Sequence, residues 1–252
     1  MAVGTAERVS SEVTDNFVFQ RSRLAYVTAA GIVRGAVLEI GTGTGYGIEI
    51  IAPAAEHFTT LDKSCAIDPS ALPANVTFRQ LAVPPLPFKD ESFDCVVSFQ
   101  VIEHIKRDEA FVAEVHRVLR KGGLFIVSTP NRPMSLTRNP WHVREYDARE
   151  FEALLSPFES VDCRGVAGNE RVWAYYEKNR ESVRRIMRFD VLDSQHRLPR
   201  WCLQLPYDIM NRINRRRLHG ANTTLTESIA MDDYYITEVN DNCFDLFYVA
   251  TK

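Results

Sequence analysis

The most informative segment of this 252-residue chain is Val37-Leu38-Glu39-Ile40-Gly41-Thr42-Gly43-Thr44-Gly45-Tyr46-Gly47. Apolar, strand-forming residues run directly into alternating glycines, and one acid, Glu39, lies inside the apolar run. The strand must therefore end abruptly, and the backbone after it must turn where a Cβ would be in the way. Such a turn lets a small ligand approach main-chain amides at the start of the next helix. The stretch predicts a strand, a ligand-binding turn and a helix.

Two other kinds of glycine-rich turn are excluded by residue type. A phosphate-binding loop needs a Gly-Lys-Ser/Thr ending, and no lysine occurs between Gly35 and Lys63. A dinucleotide fingerprint needs a glycine at the position that Tyr46 occupies. The stretch instead resembles motif I of the class I S-adenosylmethionine-dependent methyltransferases.

The next acid agrees with this resemblance. A second predicted strand, residues 58–61, ends in Asp62, which lies 21 residues after Gly41. This is close to the spacing of about 20 residues at which a βαβ unit places an acid opposite a ribose. A carboxylate can accept hydrogen bonds from both ribose hydroxyls, so the residue type suits this role.

Further motifs follow in the order that the family has. Residues 86–98 (LPFKDESFDCVVS) and 101–105 (VIEHI) closely resemble passages of the type 11 methyltransferase domain. Apolar positions 111, 115, 118 and 119 then keep helical spacing, and Gly122-Gly123 predicts the end of that helix. A strand is predicted over 124–128. The resemblance extends from Val37 to about Asn131.

The resemblance implies an α/β fold: a Rossmann-like, seven-stranded, mainly parallel sheet with helices on both faces and an antiparallel last strand. The alternation of strand and helix patterns also favours a mainly parallel sheet covered on both faces. We predict a methyltransferase core over residues 1–170, a helical cap inserted over 171–232, and a C-terminal strand over 233–252 that returns to the sheet.

Apolar residues at helical spacing predict helices in the N-terminal region, residues 6–34, and in the cap. They are Leu24, Val27 and Ile32, then Val183, Ile186, Met187 and Val191, and after Pro206 the group Ile209, Met210 and Ile213. Five aromatic residues of the cap are predicted to divide between core and acceptor wall: Trp173, Tyr175, Tyr176, Trp201 and Tyr207.

The resemblance also implies the cofactor, S-adenosyl-L-methionine, and the residues that bind it. Glu39 would contact the methionine end and Asp62 the ribose, with Lys63 beside it. The implied set is completed by Gly41, Gly43, Gly45, Tyr46, Ala82, Val83 and Gln100. Relatives usually carry an aspartate at the position of Ala82, so recognition of adenine would here depend on main-chain groups and apolar walls.

Methyl transfer from a sulfonium depends mainly on the positioning of the nucleophile, and a general base helps if that nucleophile is a hydroxyl. The candidates are His142 and His104, which lie beyond the carboxyl ends of predicted parallel strands, where open α/β sheets bind ligands. Each could instead be a structural loop residue. Glu103 could join the two histidines around a divalent metal, but no further ligand spacing supports this, so we predict no metal.

Composition and charge limit the possible cellular compartment and binding partners. Five cysteines without a CxxC pair, no export signal and no apolar run of about 20 residues predict a cytoplasmic protein without a membrane span. The net charge is −3, but residues 171–220 hold 12 Arg/Lys and 5 Asp/Glu, a net of +7, which leaves −10 for the remainder. This stretch is either a solvated basic surface or a collar for an anionic substrate or an acidic lipid surface. Nucleic acid is less favoured because no RNA-binding motif accompanies it.

We therefore predict methyl transfer to a small-molecule or glycan-linked, anionic acceptor, with oxygen favoured over nitrogen or carbon as the methylated atom. Two alternatives stay open. The first is an inactive S-adenosylmethionine-binding regulator or partner subunit, for which Ala82 is the one hint. The second is an RNA methyltransferase that grips its substrate through the Arg-rich segment.

Overall fold

The computed structural model of the protein describes residues 13–64, 67–188, 194–221 and 223–252. Within these ranges eight strands form one sheet: β1 (Ala36–Ile40), β2 (His57–Asp62), β3 (Val76–Gln80), β4 (Phe93–Phe99), β5 (Leu119–Pro130), β6 (Ser160–Gly168), β7 (Tyr234–Glu238) and β8 (Asp245–Thr251). The described part of the chain also contains eight α-helices: α1 (Asn16–Ala30), α2 (Tyr46–Ile51), α3 (Asp108–Val118), α4 (Ala148–Leu154), α5 (Glu170–Met187), α6 (Ser194–Arg197), α7 (Arg200–Ala221) and α8 (Thr223–Ser228).

The strand order is β3-β2-β1-β4-β5-β8-β6-β7. β1 to β5 are parallel, and β8 is antiparallel to both β5 and β6. The chain adds strands in one direction from β1 to β3 and then in the other from β4, so β1 and β4 flank a topological switch point. Ligands of open α/β sheets bind beyond the carboxyl ends of the strands at such a point.

Helices cover both faces of the sheet, as predicted, because the central strands are apolar on both sides. Val37 and Val97 pack on the face that α1 and α2 cover, whereas Leu38 and Val96 pack on the face that α3 and α4 cover. All four side chains are fully buried. The carboxyl ends of β1 and β4 are thereby held rigidly at the switch point.

The sheet has one strand more than the seven predicted. β7 pairs antiparallel with β6 at the edge, with Gly168 opposite Tyr234, and helices α5 to α8 lie between these two strands. The Asn169 amide donates to the Asp233 carbonyl oxygen at 2.9 Å just beyond that pair. Residues 233–252 therefore contain two strands, and the predicted cap leaves and re-enters the sheet at neighbouring positions.

Two helix predictions were wrong in detail. α3 ends at Val118 rather than at Gly122-Gly123, because the buried Leu119 becomes extended and pairs with Phe93 as the start of β5. In the N-terminal region α1 buries Ala25, Tyr26 and Ala29, whereas Val27 is exposed and Ile32 follows the end of the helix. Residues 6–12, Cys65 and Val191 lie outside the described residues. The other four cysteines are free.

Candidate active site

The glycine loop after β1 is held by hydrogen bonds within the protein. The amides of Gly41 and Thr42 both donate to the carbonyl oxygen of Leu61, at 2.8 and 3.1 Å. The Gly43 amide donates to Asp62 Oδ2 at 3.0 Å, and the Gly45 amide donates to the Thr42 carbonyl oxygen. These four amides are thus engaged within the protein rather than directed at a ligand. The expectation that amides at the start of the next helix meet the ligand concerns Tyr46 and Gly47, where α2 begins, and it stays a prediction.

An open space lies in front of Gly43. Its φ is +57°, and a Cβ built on it would meet no atom within 4 Å. At Gly41, where φ is +100°, a Cβ would come within 2.4 Å of Val101 Cγ2, so this glycine is required by packing. A flat ligand group could therefore approach the backbone closely at Gly43 but not at a residue that carries a side chain.

Asp62 lies beside this open space, as the sequence predicted. Besides the bond from Gly43, its Oδ1 accepts hydrogen bonds from the amide and the hydroxyl of Ser64, each at 3.0 Å. Lys63 is exposed next to it, and Ala82 and Val83 follow the carboxyl end of the neighbouring strand β3. The structure thus brings the implied ribose and adenine residues to the same edge of the sheet as the glycine loop.

Glu39 is buried behind that loop. Its Oε1 accepts a hydrogen bond from the Tyr26 hydroxyl at 2.7 Å, and its Oε2 accepts one from the Thr60 hydroxyl. Burial raises the pKa of Glu39 from 4.5 to about 7, although both hydrogen bonds act in the opposite direction. A carboxylate oxygen can accept a second hydrogen bond. The predicted contact with the methionine end, directly or through water, is therefore compatible with these bonds and stays a prediction.

Tyr46 faces α1. Its ring lies edge-on to Phe19 and Tyr26, with centroids 5.2 and 5.1 Å apart. Burial raises the pKa of the Tyr46 phenol well above its usual range, so it remains protonated at neutral pH. Tyr46, which directly follows the glycine loop, therefore packs its ring against α1.

A buried ion pair that the sequence reasoning missed lies at the ends of β4 and β8. Arg21 Nε is 2.7 Å from Asp245 Oδ2, and the Asp245 side chain is 4% exposed. Burial raises the pKa of Asp245, while Arg21 and Gln100 lower it. Gln100, which directly follows β4, has a left-handed backbone with φ of +56°. The signal for Asp245 was an acid inside an apolar run, Phe244-Asp245-Leu246, as for Glu39.

The two candidate bases lie together. The rings of His104 and His142 are edge-on, with centroids 5.0 Å apart, and potential ligand atoms of Glu103, His104 and His142 lie within 4.8 Å of one another. Glu103 is buried and accepts a hydrogen bond from the Thr129 hydroxyl. Burial raises the pKa of Glu103, whereas the two imidazoles lower it. This group could hold a divalent cation or could orient a base.

A hydrogen-bond network fixes the ring of His142. Its Nδ1 lies 2.7 Å from Glu145 Oε1, and since a carboxylate only accepts, Nδ1 donates. Its Nε2 lies 2.8 Å from Asn139 Nδ2, which donates because Asn139 Oδ1 accepts from the Trp141 amide. The lone pair on Nε2 thus accepts a hydrogen bond from an amide group that another donor could replace. In His104, by contrast, Nδ1 lies 3.1 Å from a main-chain oxygen, that of Trp141, rather than from a carboxylate oxygen.

A cavity of about 560 Å³ separates the cap from the segment 130–145 and from α1. His142 lines it, whereas His104 and the glycine loop do not. Tyr175, Tyr176 and Tyr207 form part of its wall, but Trp173 does not line it and Trp201 is exposed to solvent. The loop that resembles motif I therefore lies outside this cavity.

Comparison with known proteins agrees with this geometry. The sequence profile of the methyltransferase domain family matches residues 38–127. The chain is 39% identical over 173 residues to a protein of Mycolicibacterium smegmatis described as a probable S-adenosylmethionine-dependent methyltransferase, covering 64% of this chain and 67% of that protein. A protein of Mycobacterium tuberculosis with the same description is 38% identical, with 63% of this chain and 61% of that protein covered.

A fatty-acid O-methyltransferase of Mycolicibacterium smegmatis is 32% identical over 161 residues, which cover 60% of this chain and 53% of that enzyme. Among solved structures, YcgJ of Bacillus subtilis superposes with a TM-score of 0.55 at 17% identity, covering 93% of this chain and 98% of YcgJ. That likeness concerns the fold. Sequence and fold together show that the chain belongs to the class I S-adenosylmethionine-dependent methyltransferases, with S-adenosylmethionine as its cofactor.

Proposed function

We propose that the enzyme methylates an oxygen of a small-molecule or glycan-linked acceptor that carries negative charge and binds in the cavity under the cap. When bound, the cofactor supplies an electrophilic methyl group. The observation that carries the proposal is His142, which lines this cavity with its Nδ1 held by Glu145. A base that a third group orients in this way is typical of hydroxyl activation.

In this proposal, an acceptor hydroxyl displaces the Asn139 amide from His142 Nε2 and gives its proton to that nitrogen. Glu145 stabilises the imidazolium that results, and it is itself held by a hydrogen bond from the Ser135 hydroxyl. The His104 ring packs edge-on against the His142 ring and restricts its orientation. We therefore assign His142 as the base and His104 as a positioning residue.

The charge of the acceptor is inferred from the arginines of the cavity wall. Arg21, Arg138 and Arg215 line the cavity, and Glu145 is the one carboxylate among its described lining residues. Arg21 and Arg215 are paired with aspartates. Arg138, whose Nη1 donates to the Gln195 carbonyl oxygen, is therefore the cation that we assign to an anionic group of the acceptor.

The acceptor class can be tested with methyl-labelled S-adenosylmethionine and a panel of hydroxylated acids, sugar phosphates, acyl glycans and RNA. We expect label in an anionic hydroxyl compound. With that compound, His142→Ala should lower turnover by about 10²–10⁴-fold and leave cofactor affinity nearly unchanged. Arg138→Gln should raise KM, while His57→Ala, an exposed histidine at the start of β2, should behave as wild type.

Three results would contradict the proposal. Label in RNA alone would favour the RNA methyltransferase reading. Tight cofactor binding without turnover of any acceptor would favour an inactive binding protein. Near-normal turnover of the His142→Ala enzyme would mean that positioning alone suffices and that the base assignment is wrong.

A further inference from the structure

The longest helix of the cap, α7, has apolar side chains on the side that faces away from the protein. Trp201 is 75% exposed, Leu205 70%, and Ile209 and Ile213 50% each. These residues are four apart, so they follow one another along a single face of the helix. Burial of large apolar side chains is the main stabilising contribution in folding, so a contiguous exposed stripe of this kind marks a contact surface.

The same face becomes basic toward the carboxyl end of the helix. Arg212, Arg216 and Arg217 are exposed there. The single carboxylate of α7, Asp208, borders this face, but its Oδ1 accepts a hydrogen bond from Trp141 Nε1 at 3.0 Å. The exposed face of α7 therefore combines large apolar side chains with positive charge, and the one acid beside it is engaged by Trp141. We call the residues Trp201, Leu205, Ile209, Arg212, Ile213 and Arg216 the α7 outer face.

We propose that the α7 outer face binds the surface of an anionic lipid bilayer. Apolar side chains, tryptophan among them, beside arginines on one helix face are the composition of helices that lie in the membrane interface. There the apolar groups enter the acyl boundary, and the arginines meet acidic head groups. RNA would match the arginines and could stack a base on Trp201, but Leu205, Ile209 and Ile213 have neither a stacking ring nor a polar group to offer it. A bilayer matches all six residues.

The opposite side of the same helix supports a bilayer as the occupant. Leu203, Tyr207 and Asn214 line the acceptor cavity, and Pro206 and Met210 both line it and are exposed. The cavity wall thus reaches the solvent at the helix that would lie on the lipid. None of the described helices is long and apolar enough to cross a membrane.

Sedimentation of the full chain with vesicles tests the proposal. Vesicles of phosphatidylcholine with roughly one third phosphatidylglycerol should bind the protein, and pure phosphatidylcholine should bind it at least about tenfold more weakly. Trp201 fluorescence should shift to the blue and be quenched by brominated lipid, and both signals should disappear in Trp201→Phe. The double variants Arg212→Glu/Arg216→Glu and Leu205→Ser/Ile209→Ser should each weaken binding at least about tenfold.

Matched controls alter equivalent residues elsewhere. Lys89→Glu/Lys121→Glu reverses two exposed charges near the starts of β4 and β5, and Tyr235→Ser removes a half-exposed aromatic ring from β7. Both should bind the anionic vesicles as wild type does.

If the control variants weakened vesicle binding as much as the α7 variants do, binding would not depend on α7 and the proposal would be wrong. An absence of vesicle binding would also overturn it. Self-association that Leu205→Ser/Ile209→Ser abolishes would overturn it too, because the face would then bind a second copy of the chain. RNA binding without vesicle binding would assign it to nucleic acid. These results do not depend on the identity of the methyl acceptor.

Discussion

Replacement of Glu39 by glutamine should make the protein more resistant to unfolding at alkaline pH. The Glu39 carboxyl is 1% exposed and bonded to the Tyr26 and Thr60 hydroxyls, and burial raises its pKa from 4.5 to about 7. The folded state therefore holds this proton more tightly than the unfolded chain does. Its contribution to the free energy of unfolding is fully present below about pH 4.5 and is lost as the pH rises through about 7.

The size of the effect follows from the two pKa values. A difference of about 2.5 pKa units corresponds to about 3 kcal/mol in total, of which about 2–3 kcal/mol is lost between about pH 5 and pH 8. No reduction for solvent screening applies, because the group is fully buried. Glutamine keeps one oxygen for Tyr26 and is neutral at every pH, so the Glu39→Gln variant should not lose this contribution.

Urea unfolding of both proteins at several pH values would measure it. We expect the free energy of unfolding of Glu39→Gln, relative to wild type, to increase by about 2–3 kcal/mol from about pH 5 to about pH 8. Glu49→Gln, which alters an exposed glutamate of α2, should show no such trend. Parallel pH profiles for wild type and Glu39→Gln would refute the reasoning, since Glu39 would then ionise in the folded state as easily as in the unfolded one.

Three further predictions concern cofactor binding and the need for a metal. Gly43→Val should abolish cofactor binding in a folded protein, as calorimetry would show. Gly122→Val is its control, because it has a similar φ of +70° and an equally open Cβ position at the start of β5; equal affinity in both variants would move the cofactor away from the loop. Asp62→Ala should weaken cofactor binding by about 1–3 kcal/mol, while Asp62→Asn should recover part of the loss; wild-type affinity would mean that another residue holds the ribose. Chelator treatment should leave turnover unchanged if His142 acts as a base, whereas a loss that added Zn²⁺ or Mg²⁺ restores would place a metal between His142 and His104.

The sequence was sufficient for the central strands and helices because local patterns decide them. The apolar run before Gly41 predicted where β1 ends, and the strand predicted over 58–61 differs from β2 by one residue at each end. β7 was missed because it is a short strand that pairs on one side only, with β6. Its apolar signal is correspondingly weak, and pairing partners cannot be seen in a single sequence.

Within the site, prediction succeeded where one residue type at one spacing determines the position, as for Asp62 beside Gly43. It could not foresee that the loop amides would be used internally, because those bonds depend on the carbonyl of Leu61, which a neighbouring strand supplies. The sequence could also not show that His142 lines the cavity whereas His104 does not, the observation on which the proposed base depends. Such facts follow from tertiary packing rather than from periodicity.

The cap joins the sheet at one place, so the cap and the sheet can change independently of each other. Gly168 and Tyr234 are paired across β6 and β7, so everything between them is an insertion in a hairpin whose two ends are already neighbours. Lengthening, shortening or exchanging such an insertion leaves the sheet register unchanged and costs little loop-closure entropy. In the proposed function, the acceptor site can therefore change with the cap, while the glycine loop and the acid Asp62, which follow β1 and β2, keep their positions in the sheet.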